Sequence, residues 1–299
     1  MSTLGKTIIA GVIIAVIGVI IMVAVLGING WKIDDKYELK TYDCTSEINT
    51  LKLDFEVGVL KTEFYDGDKI KVEYPESKTL VTTFSENNGV LSMITDVKFK
   101  LFRINSLFNK LPDTIIKIPK NNVLKLDFVL NAGTADIASG NYTDINLNMN
   151  AGTVNFENVT CDKYTIDLNA GTLKVQNLNA GYADLKMNAG DIKIAKIISP
   201  EVNIKVNAGN IIIKDMESDK ITAKMNAGGL NIEKALIKNI NYNINAGSII
   251  TNIIGNKADY NINVEKNAGS CNVSNQTGLF ADKIITLDID AGKININFN

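Results

Sequence analysis

Apolar and polar residues alternate along much of the chain, and from about residue 124 the alternation recurs with a fixed period. The landmark of the repeat is the tripeptide Asn-Ala-Gly, which occurs seven times at intervals of 19, again after an interval of 22, and as Asp-Ala-Gly after one of 23. In the seven evenly spaced copies, and again before the final Asp-Ala-Gly, the residues one and three positions before the triplet are apolar and the residue between them is mostly polar, as in Ile166, Asp167 and Leu168. This period of two is typical of a strand with one buried face.

The apolar positions change parity across each triplet. Apolar residues then stand four and six positions after the Asn, and a third column stands nine positions after it, from Val159 to Ile254. The chain must therefore turn at Ala-Gly, and each repeat contains two strands, a corner and a shorter third segment. Repeats this short bury their apolar columns best by stacking on one another. We predict an all-β fold, a single-stranded parallel β-helix, over residues 131–299.

The recurring triplet itself predicts a turn. Gly adopts positive φ without steric cost, and identical amides stacked at strand spacing can hydrogen-bond along the rod. The alternative is a row of amides that binds a ligand, and we favour the structural ladder. The predicted turn ladder comprises Asn131, Asn150, Asn169, Asn188, Asn207, Asn226, Asn245, Asn267 and Asp290, with Gly133, Gly152, Gly171, Gly190, Gly209, Gly228, Gly247, Gly269 and Gly292.

Residues 48–130 are predicted to form an irregular first part of the same β-helix. The run 51–64 matches the repeat, with Glu-Val-Gly in place of Asn-Ala-Gly, and residues 86–89 read as the turn of a hairpin. An excursion at 95–112 is the one basic and aromatic stretch. It fits either an amphipathic helix on a membrane surface or, as we prefer, a cap over the open end of the solenoid.

Residues 1–30 are predicted to be a transmembrane anchor, followed by a juxtamembrane linker at 31–47. The run Thr7–Ile28 is uncharged and apolar. As a helix it would extend about 33 Å, enough to cross a hydrocarbon core of roughly 30 Å. A cleaved signal peptide is the alternative, but the run is too long and lacks a small-residue cleavage site. Lysines flank both sides of the run, so charge alone leaves the orientation open.

Composition narrows the chemistry. The chain has no histidine, and its 31 basic and 33 acidic residues give a formal charge of −2. Histidine triads, imidazole metal sites and electrostatic binding of nucleic acid are therefore not expected. Cys161 and Cys271 lie too many rungs apart for a disulfide, whereas Cys44 would be juxtamembrane, either cross-linking dimers or remaining a free thiol. We predict no catalytic residue, no metal site and no cofactor.

Several of these features together resemble the bacterial putative-adhesin family, over residues 48–299. They are the membrane segment, the strand-turn-strand Leu51–Tyr74 with Asp66-Gly67-Asp68, the strand Ile116–Lys120, and the repeated small-Gly turn. The resemblance implies a membrane-tethered, extracytoplasmic β-helix with no established catalytic residues, in a family found beside envelope-stress regulators. The family's usual turn is Ser-Gly-Asp or similar, so Asn-Ala-Gly is a departure.

The carboxyl terminus suggests a partner. The chain ends on Lys293–Asn299 inside what the repeat predicts to be the last rung. An open rung presents unpaired backbone groups, so we expect it to be able to self-associate, as in bactofilin-like scaffolds.

Three functions follow from the sequence. The first is a non-enzymatic structural or adhesin-like module of the cell envelope, held in the bilayer by Thr7–Ile28. The second is a self-assembling scaffold or a regulatory partner in envelope-stress sensing. The third and most remote is a carbohydrate-active enzyme, because β-helices also carry carboxylate grooves. Its candidate acids are the outward residues Asp127, Asp167, Asp184 and Asp288.

Overall fold

The computed structural model describes residues 36–98, 111–280 and 282–299, and in these it is almost entirely β-structure. They include one short 3₁₀ helix, Lys257–Asp259. The strands are β1 Glu38–Asp43, β2 Thr50–Phe55, β3 Val59–Tyr65, β4 Lys71–Glu76, β5 Leu80–Asn87, β6 Val90–Val97, β7 Thr114–Pro119, β8 Leu124–Leu130, β9 Thr134–Ile137, β10 Gly140–Met149, β11 Thr153–Leu168, β12 Thr172–Met187, β13 Asp191–Ile198, β14 Glu201–Val206, β15 Asn210–Met225, β16 Gly229–Ile244, β17 Ser248–Ile253, β18 Asn261–Lys266, β19 Ser270–Cys271, β20 Ile284–Ile289 and β21 Lys293–Phe298.

The strands form a parallel β-solenoid of about nine turns, which confirms the predicted fold. Residues one repeat apart are direct neighbours on adjacent rungs, so that Leu168 pairs with Met187 and Val154 pairs with Leu173. Four strands of 16 residues (β11, β12, β15 and β16) each run from one Asn-Ala-Gly corner to the next. The predicted third segment is therefore the continuation of a strand and not a separate element.

The core contains more columns than the sequence analysis identified. The columns one and three residues before the Asn, and four and six after it, are buried as expected, except that Cys271 is only half-buried. Two further inward columns lie five residues before the Asn and eleven after it, and include Tyr164 and Cys161. The prediction for Ile254 was wrong: a register shift after Ile232 pairs Ala235 with Ile253, which is fully buried, and leaves Ile254 41% exposed.

The amino-terminal end closes with strands that come later in the chain. The rung of β2 and β3 stacks on β8 and β9 on one side and on β6 and β7 on the other. Strands β5 and β6 form the predicted hairpin, with positive φ at Asn88 and Gly89 in its turn. The assignment of residues 31–47 to a linker was wrong in part, because β1 pairs antiparallel with β4. Cys44 is buried in the core and so is not placed to cross-link dimers.

The carboxyl-terminal end is threaded out of sequence order. Strand β20 pairs with β16 on one side and with β18 on the other, and β21 lies in the same way between β17 and β19. The final strands are thus inserted into the stack, and β18–β19 form the outermost rung. The expectation that Lys293–Asn299 forms an open last rung was wrong, because β21 in this segment is paired with β17 on one side and with β19 on the other.

Two of the predictions fall on residues outside the described ones. The transmembrane run Thr7–Ile28 lies wholly there, and so do residues 99–110 of the excursion. Across the three described ranges, no helix has both the length and the apolar character needed to cross a membrane.

Candidate functional site

The most regular surface feature is the corner formed by the stacked Asn-Ala-Gly triplets, which we call the asparagine corner (residues 131–133 and their equivalents up to 245–247). The Nδ2 of each asparagine donates to the Oδ1 of the asparagine one rung earlier, over distances of 2.6–2.8 Å. At the first rung, Asn131 donates instead to the carboxylates of Glu56 and Asp54. Six consecutive amide-to-amide bonds thus run along the rod.

The backbone continues its ladder through the corner. Asn169 N–H donates to Met149 O over 2.8 Å, Ala170 N–H to Asn150 O over 3.0 Å, and Thr172 N–H to Gly152 O over 2.9 Å. The turn therefore leaves few polar backbone groups unpaired, which stabilises a bend that strand geometry would otherwise oppose.

Two constraints require glycine at the corner. The seven glycines from Gly133 to Gly247, and Gly58 before them, have φ between 104° and 130°. A Cβ on each of the seven would lie 2.1–2.3 Å from the carbonyl oxygen of the glycine one rung earlier. Gly269 and Gly292 differ from the prediction, since neither has positive φ, although both lie at corners. Gly292 lies at the corner of the inserted rung and Gly269 at the corner of the outermost rung.

The ladder changes character at this inserted rung. In space the order is Asn245, Asp290, Asn267, because Ala291 N–H donates to Asn245 O and Ala268 N–H donates to Asp290 O. Asn267 Nδ2 donates to Asp290 Oδ1 over 2.8 Å. An ionised carboxylate has no hydrogen to donate, so Asp290 cannot continue the ladder to the Oδ1 of Asn245.

The side chains of the asparagine corner offer hydrogen-bond donors and acceptors but no acid, base or nucleophile suited to catalysis. An amide has two N–H donors and one oxygen with two lone pairs, and the ladder uses one donor and one lone pair of each interior member. The amides from Asn150 to Asn245 are exposed, so the remaining donors and lone pairs form a row at the strand repeat of about 4.8 Å. The corner is therefore both a structural ladder and a regularly spaced polar surface.

The structure does not bring the four candidate acids together. Asp127 accepts from Asn146, Asp288 accepts from Asn243, and Asp184 pairs with Lys186 over 3.2 Å. The four acids, Asp167 included, lie on four different rungs. Among the described residues, no group of three or more acidic or cysteine side chains is placed to hold a metal ion.

The perturbed pKa values of the cysteines arise from burial in the core, and that of Glu86 arises from local hydrogen bonds. Burial raises the pKa of Cys44 and of Cys161 to about 12, which keeps both thiols protonated. The pKa of Glu86 is lowered to about 2, chiefly by the Ser46 hydroxyl and also by the Thr45 amide. Glu86 thereby fastens the loop after β1 to the hairpin. No feature of the sequence pointed to this clamp, because its two sides are far apart along the chain.

The outermost rung is covered at its free edge. Ile262 exchanges two backbone hydrogen bonds of 3.0 Å with Gln276, and Asn275 Oδ1 accepts from the N–H of Val264. The Gln276 side chain donates to Lys257 O and Tyr260 O. Edge strands blocked in this way resist pairing with another chain. The lengthened intervals between the last three triplets were the sequence signal of this cap.

The comparisons with known proteins agree with this architecture. A family model described as Toastrack DUF4097 matches residues 48–297. A putative adhesin from Bacteroides fragilis NCTC 9343 has a TM-score of 0.51 at 14% identity, over 87% of this chain and 97% of that one. A putative lipid binding protein from Parabacteroides distasonis ATCC 8503 has a TM-score of 0.52 at 17% identity, over 88% and 98%. At such identities the likeness concerns the fold. No curated protein matches the sequence.

Proposed function

This chain belongs to the Toastrack DUF4097 family, and on that premise we propose that it is a non-enzymatic, adhesin-like module of the cell envelope. In this proposal Thr7–Ile28 anchors the chain in the membrane and the β-solenoid stands outside the cytoplasm. The descriptions of the structural neighbours as a putative adhesin and a putative lipid binding protein are in keeping with a binding role.

The observation that carries the proposal is the long and regularly spaced polar surface at the asparagine corner. Six hydrogen bonds between side-chain amides connect seven exposed or half-exposed asparagines in one row. A catalyst needs a small number of groups converging on one reacting atom. A row of equivalent donors and acceptors instead suits an extended partner that makes the same contact many times.

Topology is tested by fusing reporters after Asn299. With the proposed orientation, an alkaline phosphatase fusion is active and a cytoplasmic fluorescent protein fusion is dark. Deleting residues 7–28 from the phosphatase fusion is the control, and it should abolish the phosphatase signal. A fluorescent fusion with inactive phosphatase would contradict the extracytoplasmic placement.

Binding is tested with the full chain immobilised on beads and presented with bacterial envelope fragments. Retention that excess free protein competes away supports an adhesin-like role. Beads coated with urea-denatured chain are the control for non-specific capture. Release of reducing ends from envelope polysaccharide, without added enzyme, would instead favour the carbohydrate-active alternative.

A further inference from the structure

Lysines stand in register beside the asparagine corner on the middle rungs. Lys186 pairs with Lys205, and Lys205 pairs with Lys224, on β12, β14 and β15. On the other side of the corner, Lys174 pairs with Lys193 on β12 and β13. We call these five residues the lysine columns. Because adjacent strands lie about 4.8 Å apart, each column stacks like charges on one another, which is unfavourable in the absence of a counter-charge.

In the column formed by Lys186, Lys205 and Lys224, the charges of the last two lysines are not neutralised. Lys186 pairs with Asp184, but Lys205 and Lys224 form no ion pair with any residue that the structure describes. Two residues before these lysines, in the same strands, stand Asn203 and Thr222, and two residues after them, in the corner, stand ladder amides. The fold therefore exposes two adjacent ammonium groups among neutral polar groups, on a chain whose formal charge is −2.

Elsewhere on the rod the same repeat pairs lysines with acids. Lys220 contacts Glu201 over 3.1 Å, Lys238 contacts Asp219 over 2.8 Å, and Lys234 contacts Asp215 over 3.9 Å. In each pair the acid stands one repeat before the lysine, directly across the rung boundary. An acid placed one repeat before a lysine is thus enough to neutralise it in this fold, and neither Lys205 nor Lys224 has an acid at that position.

The ladder amides add neutral donors to this surface. Asn207 and Asn226 are exposed and follow Lys205 and Lys224 by two residues, so each lysine near the end of a strand is followed closely by an amide of the corner. Each amide retains one N–H beyond its ladder bond. A compact ammonium group beside N–H donors suits phosphate oxygens, whereas bidentate hydrogen bonds to carboxylates are made mostly by arginine. The only arginine in the chain is Arg103.

We propose that the lysine columns and the adjoining ladder amides bind a linear phosphate polymer lying along the rod axis. The proposal rests on the proposed function and names the class of its partner. We exclude a nucleic acid as the polymer, because the strands beside the lysines carry one aromatic side chain, Tyr182, whose hydroxyl is bonded to Asn203, and not the series of aromatic faces on which successive bases stack.

The test measures binding of fluorescein-labelled linear polyphosphate to the full chain by anisotropy, over a series of salt concentrations. The double variant Lys205→Gln with Lys224→Gln should bind about ten-fold more weakly, and its salt dependence should fall by roughly one unit of slope for each lysine removed. The matched control is Lys220→Gln with Lys234→Gln, which removes the same charge from ion-paired lysines. Its affinity should stay within about two-fold of the wild type, because those lysines are already neutralised. Circular dichroism checks that both variants fold.

Three results would overturn the proposal. They are no binding by the wild-type chain at low salt, equal weakening in the two double variants, and single-stranded DNA binding as tightly as polyphosphate. The proposed function is separable from this site. If the chain fails to bind polyphosphate but is still captured by envelope fragments, the site is refuted and the adhesin-like role stands.

Discussion

Replacing one corner glycine by alanine tests the packing of the rungs. Gly171 has φ of 118°, and a Cβ on it would lie 2.3 Å from the carbonyl oxygen of Gly152. That oxygen accepts the N–H of Thr172 over 2.9 Å, so it cannot move away without breaking a ladder bond. Gly171→Ala therefore has to displace one rung relative to the next.

The expected size of the effect comes from two contributions. A side chain at this positive φ costs about 1–3 kcal/mol. Relieving the overlap with a backbone oxygen costs about 1–3 kcal/mol more, as overpacking does in other cores. The matched control is Gly255→Ala, since Gly255 has φ of 148° and no atom within 4 Å of its added Cβ. The control should lose only the first contribution, about 1–3 kcal/mol.

The assay is urea unfolding of the full chain, followed by far-ultraviolet circular dichroism. Because repeat proteins can unfold in parts, hydrogen exchange of the amides on the two rungs around Gly171 provides a local measurement. We expect Gly171→Ala to be less stable than Gly255→Ala and to lose protection at these rungs first. Equal losses of stability in the two variants would refute the reasoning that rung contact, and not φ alone, requires glycine.

Three further predictions concern single groups. Among the described residues the buried hydroxyl of Tyr164 has no hydrogen-bond partner, so Tyr164→Phe should raise the unfolding free energy by about 1 kcal/mol. Tyr242→Phe should lower it by about 1 kcal/mol, because the Tyr242 hydroxyl bonds to a buried threonine. Thermal unfolding distinguishes the two variants, and destabilisation by both would contradict the account. Asp290→Asn should stabilise the chain by about 0.5–1 kcal/mol, because an amide there can donate to Asn245, and an unchanged urea midpoint would count against a continuous ladder. The lowered pKa of Glu86, about 2 against an ordinary value of 4.5, means that its stabilisation is complete above pH 4.5 and is lost as the pH falls towards 2. In Glu86→Gln the urea midpoint should vary less with pH between pH 2 and about 5 than in the wild type. The same pH dependence in both proteins would exclude the clamp.

Much of this fold follows from the sequence alone. The constant interval between triplets sets the length of a rung, and the alternation before and after each triplet assigns the inward columns that include Leu168 and Val154. Both inferences succeed because a stacked repeat makes the same contact at the same separation on every turn. A period in the sequence then encodes a contact in space. The membrane segment stays a prediction from the same sequence.

The tertiary structure alone decided how the stack ends and which surface groups meet. The insertion of β20 brings Asn243 to Asp288, two residues whose separation along the chain no period specifies. The one-residue slip that turns Ile253 inward depends on how β17 fits between its neighbours. The charge of Lys205 was visible as one polar residue in a strand, and its exposure beside Lys224 exists only once the rungs are stacked. Period fixes contacts inside the repeat, whereas the ends and the slips are chosen by long-range packing, because there the chain must cover exposed strand edges and apolar columns with whatever segments can reach them.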